Sequence, residues 1–414
     1  MKARSLLVFP CAIAPLLINH AIGAPIYWDG AATGGWEVVA NWSSDSAGTT
    51  DPSAVPGSGD IATFNIAGNN NASTISLNGD QSVSGIKLTS TGNPITLQGG
   101  GTNRTLSIGL DGIVADANTN LLNVGSATAN QNVNVLLMAS QSWLYNGANV
   151  PSRGINVRNG VSLGIAGPQT LTLGGGTGST AVSAIHGVVS NGAGVLNITM
   201  DGSSSNRWNL NGNNTYTGVT TITSGALGLG NANALGNTSA GTTVASGASL
   251  FLRAGVSYAA ESLTITGTGS ASAGALRGLA GGAIWNGAIS ANPTGGFVAI
   301  GSDSGQFTLS NTADITFNGS GTLRFANQDS GSTAITVVNG DIIGSNNVEK
   351  TDSSASFLTF GGDAKSYAGA TTITTGTFTL NTTLTNSSGL TVAAPGILRG
   401  SGALGNVNAS TTIN

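Results

Sequence analysis

NNTYTGVTTITSGALGLGNANALGNTSAGTTVASGASLFL, residues 213–252, reads as three short alternating strands, 219–222, 226–229 and 243–252, separated by glycine, serine and asparagine. Each strand would bury only one face, so none is stable alone. An offset of 151 residues (367 − 216) brings a second copy into register. In SYAGATTITTGTFTL, residues 366–380, Tyr367, Gly369, Thr371, Thr372, Ile373 and Gly376 stand where the first copy has Tyr216, Gly218, Thr220, Thr221, Ile222 and Gly225. Phe378 and Leu380 then replace Leu227 and Leu229. A small-residue turn followed by alternating apolar residues, recurring in this way, predicts a solenoid whose coils stack edge to edge.

These residues resemble the autotransporter-associated β-strand repeat, also described as a passenger-associated transport repeat, of bacterial secreted and surface proteins. Similar wording recurs in AESLTITGTG and AGALRGLAGGAIWNGAIS within residues 260–290, in GSDSGQFTLSN at 301–311, and in WDGAATGGWEVVANWSSD at 28–45 followed by PGSGDIATFN at 56–65. The likeness is patchy from about 66 to 187 and good from 209 onward. It implies a right-handed, single-stranded parallel β-helix passenger, without a defined chemistry, that assists its own export by folding progressively outside the cell.

Composition points independently to an all-β solenoid. Of 414 residues only 7% are charged and 64 are glycine, whereas a globular domain carries about a quarter of its residues as charges. Serine, threonine and asparagine suit the flat faces and turns of stacked coils, and asparagines at equivalent turns can hydrogen-bond along the axis. Recurring Val, Ile, Leu and Phe with a mean hydropathy of +0.17 argue against a disordered chain.

Residues 1–23 read as a secretory signal. Lys2 and Arg4 form the positive end, 6–18 is apolar, and Ala21 and Gly23 supply small residues for cleavage after Gly23. The apolar run is too short for a membrane span, and Pro10 and Pro15 interrupt it. Cys11 lies within it, so the expected mature chain has no cysteine and no disulfide, zinc-thiolate site or thiol nucleophile. Without Lys2 and Arg4 the balance is 17 acidic against 11 basic residues (13 − 2). No basic stripe for nucleic acid is visible. The expected location is secreted, cell-surface or outer-membrane associated, with the secretion machinery as partner. An autotransporter ends in a membrane β-barrel; the sequence has no such region, so the outer-membrane translocator is not named.

Three tryptophans, Trp28, Trp36 and Trp42, crowd residues 24–65 with Asp29, Glu37, Asp45, Asp51 and Asp60. A cap covering the open end of the solenoid is preferred over a sugar-stacking platform, because the aromatics directly precede the first regular strands. Residues 66–414 then form the solenoid, with repeats near 209–252 and 360–403. Strands of four to seven residues predict coils of roughly 20 to 25 residues and about 17 coils, a rod roughly 80 Å long. Residues 133–138 read as a core strand and 130–134 as part of an asparagine ladder.

Chemical motifs are sparse. His186 is the one histidine after the signal, and no GxSxG elbow accompanies it. Asp116, Asn118 and Asn120 open like a calcium loop, but Leu121 and Ala127 stand where glycine and glutamate belong. GGDAKSYAG at 361–369 does not fit the calcium nonapeptide, and GGGTGS at 174–179 lacks the lysine of a phosphate loop. A β-helix polysaccharide lyase or hydrolase would need carboxylates converging on one groove; the close pairs are Glu349 with Asp352 beside Lys350, and Asp111 with Asp116. Lys350-Thr351 matches a dipeptide the resembling family carries before its strand and is read as structural. Arg253, Arg277 and Trp285 are conspicuous, the arginines being read as solvated or carbonyl-bonding corner residues. No catalytic, cofactor or metal residue is assigned. The sequence reading is a structural or adhesive rod that meets an extracellular glycan or protein, with a glycan-binding or glycan-degrading β-helix as the alternative.

Overall fold

The chain is 51% strand and 2% helix, and its parallel strands stack into a β-solenoid of about 13 turns. The structure, a computed structural model, describes residues 23–30, 34–65, 74–89, 93–117, 119–147, 153–176, 183–293, 296–327, 333–405 and 410–413. The expected signal segment, apart from Gly23, lies outside the described residues, as does Asn118.

Each complete turn has three sides. The first is one parallel sheet of 15 strands running from Thr74–Leu77, through Arg207–Leu210, Ala226–Leu229, Ser249–Leu252 and Leu276–Gly278, to Ser410–Ile413. The second side is built early by strands such as Val133–Leu137 and Val161–Leu163 and late by a six-stranded sheet from Ala283–Trp285 to Ile397–Arg399. Strands such as Gln141–Tyr145, Val195–Gly202, Thr220–Ser224 and Thr242–Val244 make the third. Early second and third sides merge into one 17-stranded sheet because Gln81–Leu88 and Arg104–Ala115 run through the corner, with a register shift between Val83 and Gly85. Gly112 makes that corner: its φ is +62°, and a Cβ there would lie 2.2 Å from the Ser142 carbonyl oxygen.

Alternation explains the core. In Arg207–Leu210, Trp208 and Leu210 point inward, and register carries them up the axis as Trp208, Leu227, Leu250, Leu276 and Leu210, Leu229, Leu252. Each inward side chain rests on its neighbour one coil away, about 4.8 Å distant, and full burial stabilises each large one by about 1.5–3 kcal/mol.

The repeat seen in sequence is a structural repeat, displaced around the coil. In the first copy Thr220–Ser224 lies on the third side and Ala226–Leu229 on the first. In the second, Thr371–Ile373 lies on the first side and Thr377–Leu380 on the second. Third-side register runs Ile222, Val244, Ile265, Ala291, Phe317, and Gly344 then accepts from the Ala368 amide, so the 151-residue offset is six turns plus one side.

Several expectations need correction. The predicted strand 243–252 is two strands, Thr242–Val244 and Ser249–Leu252, on different sides of a corner. Coil length is wider than expected, from 19 residues (227 − 208) to 33 (154 − 121), so the rod has about 13 turns rather than 17 and is roughly 60 Å long at about 4.8 Å per turn. Residues 133–138 do supply the strand Val133–Leu137, while Met138 is exposed. The asparagine ladder is mostly of another kind: Asn134 and Asn159 accept the amides of Gly160 and Val133 at 3.0 Å each, and Asn214 accepts that of Val189 at 2.8 Å. Side-chain amides thus satisfy backbone groups where the ladder breaks at corners.

Between residues 211 and 262 the second side carries no strand, yet hydrogen bonds continue along it: Thr215 N to Val189 O, Asn237 N to Tyr216 O, and Tyr258 N to Ile284 O. Tyr216 and Tyr258 fill the interior there. At the amino-terminal end, Trp28, Trp36 and Trp42 are buried, packed edge-on at 4.8–4.9 Å around Trp42, with Phe64 beneath. The Trp42 indole donates to the Trp36 carbonyl at 2.7 Å.

Candidate functional site

The residues marked in sequence scatter over the solenoid. His186 is exposed, with Nε2 3.3 Å from Asn156 Oδ1 and Nδ1 3.3 Å from Asn211 Nδ2, so it bridges three successive coils. Though the residue is exposed overall, partial desolvation of its ring between neighbouring coils, and then the Arg158 charge, hold its pKa below the ordinary imidazole value. Asp116 pairs with Lys87 at 3.4 Å, and Asp111 accepts from Gly23 N and Ser84 Oγ. Glu349 pairs with Arg324 at 2.9 Å. Lys350 is fully buried, donating to Thr351 O at 2.6 Å and Ser356 Oγ at 2.7 Å, which makes it a turn-holding residue. In the 361–369 stretch Lys365 is likewise buried and donates to three carbonyls. Among the described residues no group of three or more His, Cys, Asp or Glu side chains gathers as a metal site. All six tryptophans are buried, so none presents a stacking surface.

One stretch of the first side differs from the rest of the surface. Alternation sends Arg207 and Asn209 outward from Arg207–Leu210, Ala226 and Gly228 from the next strand, Phe251 from Ser249–Leu252, and Arg277 from Leu276–Gly278. One residue past these strands, Asn211, Gly230 and Arg253 line up along the corner. Gly228 and Gly230 provide no side chain, so the surface is recessed between the Asn209/Asn211 pair on one side and Phe251/Arg253 on the other. The hollow measures about 310 Å³ and continues, past Arg207, Phe251 and Leu279, into a second of about 520 Å³ lined also by Ser204, Ser205, Arg277 and Asp303.

Phe251 organises the charges. The Arg207 and Arg277 guanidinium carbons lie 5.9 and 5.3 Å from its ring centroid, within cation–π range. Arg277 is also paired with Asp303. Burial pushes the Asp303 carboxyl up, and Arg277 and Arg207 pull it back. Burial pulls Arg207 down, and its Nε has no hydrogen-bond partner. Arg253 is exposed, its backbone amide held at 2.8 Å by the Tyr258 hydroxyl, which itself donates to Leu229 O at 2.7 Å. Sequence reasoning singled out Arg253 and Arg277 as solvated or carbonyl-bonding corner residues; Arg277 instead stacks and pairs with a carboxylate. It passed over Arg207, Phe251 and the two glycines, because their proximity depends on register across coils.

No protein-family model, no curated protein and no solved structure matches the chain.

Proposed function

We propose that the chain is a secreted, rod-like surface protein of the autotransporter-passenger kind, which acts by presenting binding faces rather than by turnover. The observation that carries this reading is the repeat itself. Its large residues Tyr216, Ile222, Leu227 and Leu229, and Tyr367, Ile373, Phe378 and Leu380, face the interior in both copies, which occupy different sides of the coil. A sequence reused in this way builds length, whereas a catalytic constellation must be held in one place. Export by progressive folding fits coils whose hydrogen bonds are made to the coil before, so that each new turn is templated by the last.

The test is a pair of measurements on the purified protein: solution scattering for shape, and release of reducing ends and unsaturated products from acidic and neutral polysaccharides, with and without calcium. An elongated particle without product is the expected result. Robust turnover overturns the passenger reading.

A further inference from the structure

The geometry points to the recess over Gly228 and Gly230 as a binding site for a linear, carboxylate-bearing polysaccharide, with Arg207 and Arg253 as the anion-recognising groups. The chain is acidic overall, net charge −4 with only 13 Lys and Arg residues, yet three arginines, Arg207, Arg253 and Arg277, converge on these adjoining hollows. Asp303 offsets one of them. Such a local reversal of sign attracts an anion. Phe251 holds the Arg207 guanidinium against its ring, so less side-chain freedom is lost when that arginine binds a carboxylate.

Shape selects a chain over a small ion. The two hollows run along the solenoid axis over several coils and are open, whereas a lone phosphate or sulfate is held in a tight concavity of convergent donors. Around the arginines stand neutral groups suited to sugar hydroxyls, the amides of Asn209 and Asn211 and the hydroxyls of Ser204, Ser205 and Ser270.

The glycines support the assignment. Neither has a positive φ, so the strand does not require them. At the matching positions of the second repeat copy, 151 residues on, stand Thr379 and Asn381. A Cβ on Gly228 or Gly230 would fall 2.1 Å from Asn209 Oδ1 or Asn211 Oδ1. The nearest atom at each position is the far end of an asparagine side chain, which has to move aside, so a side chain here would crowd the recess.

This proposal rests on the reading of the solenoid as an interaction rod, and the two fail separately. Binding is measured by calorimetry with polygalacturonate, its methyl ester as the neutral counterpart, and inorganic phosphate at matched charge. The expected result is binding of polygalacturonate alone, weakened by salt. It should fall at least about tenfold in Arg207→Gln/Arg253→Gln and also in Gly228→Thr/Gly230→Asn, with unchanged melting curves, and stay unchanged in the remote Arg399→Gln. No binding of polygalacturonate, equal binding of the ester, competition by phosphate as strong as by the polymer, or full affinity in folded Arg207→Gln/Arg253→Gln overturns the site while leaving the rod reading intact. Product release together with arginine-dependent binding overturns the rod reading and leaves the site standing.

Discussion

Tyr216 and Tyr367 stand at the same place in two copies of one repeat, yet they enter the solenoid from neighbouring sides of its triangular coil. Each hydroxyl bonds the threonine four residues on, Tyr216 with Thr220 at 2.7 Å and Tyr367 with Thr371. Each copy then turns at a glycine of positive φ, Gly225 at +75° and Gly376 at +73°. The repeat is therefore a corner-and-core unit that the coil accepts on more than one side.

Removing the hydroxyls tests this equivalence. Thr220 and Thr371 are buried, so Tyr216→Phe and Tyr367→Phe each leave a threonine hydroxyl without its partner, at a cost of about 1–3 kcal/mol. Tyr→Ala at either site should cost about 3–5 kcal/mol through the cavity it leaves. Urea unfolding of the four variants checks both, and similar losses at the two sites are expected. A loss at one site only would contradict the shared role.

The fold class was legible because alternation and glycine spacing act locally, within one strand and one turn. Coil length was not, because connecting segments such as 125–132 lengthen a turn without changing the strands on either side. The 151-residue offset was visible as an identity of wording, but its meaning as six turns plus one side depends on pairings such as Thr371 with Val348. The arginine recess was the least legible part. Arg207, Gly228, Phe251 and Arg277 sit on four successive first-side strands, and only the register Asn209–Gly228–Phe251–Arg277 brings them together. A search for arginine and aromatic residues spaced by one coil length could have found it.

Lys365 offers a second test of how the carboxy-terminal coils are held. Its ammonium donates to the carbonyls of Asn339, Gly361 and Asp363 at 3.2, 2.8 and 2.6 Å from a fully buried position. Burial pulls its pKa down to about 8, against the opposing effect of Asp341. Lys365→Met should remove these charge-assisted hydrogen bonds, leave the Gly361 carbonyl without its donor, and lower stability by about 2 kcal/mol. A denaturation midpoint equal to that of the parent protein would show that the contacts carry no net weight.

The indole rings can be followed directly. With all six tryptophans buried, native emission should lie toward the blue and resist quenching by acrylamide, with quenching rising steeply on unfolding. Trp36→Ala should cost about 3–5 kcal/mol, because the Trp36 ring is fully buried and packs edge-on against Trp42 at 4.8 Å. Strong quenching of the native protein would place an indole on the surface and restore the sugar-stacking reading.

Glu261 gives the stability a pH dependence of predictable sign. It is buried, Oε1 accepts from Thr242 at 3.1 Å, and Oε2 has no hydrogen-bond partner. Burial pushes its pKa from 4.5 up to about 7, with the Thr242 hydrogen bond opposing. Between those values the folded state holds a proton that the unfolded state has released, so this residue's contribution to stability falls as pH rises from about 4.5 to about 7. Glu261→Gln keeps an acceptor for Thr242 and removes the titration. Urea midpoints at pH 5 and pH 8 should therefore differ more in the parent than in Glu261→Gln. An identical pH dependence in the two proteins would mean that Glu261 ionises in the fold as it does in the unfolded chain.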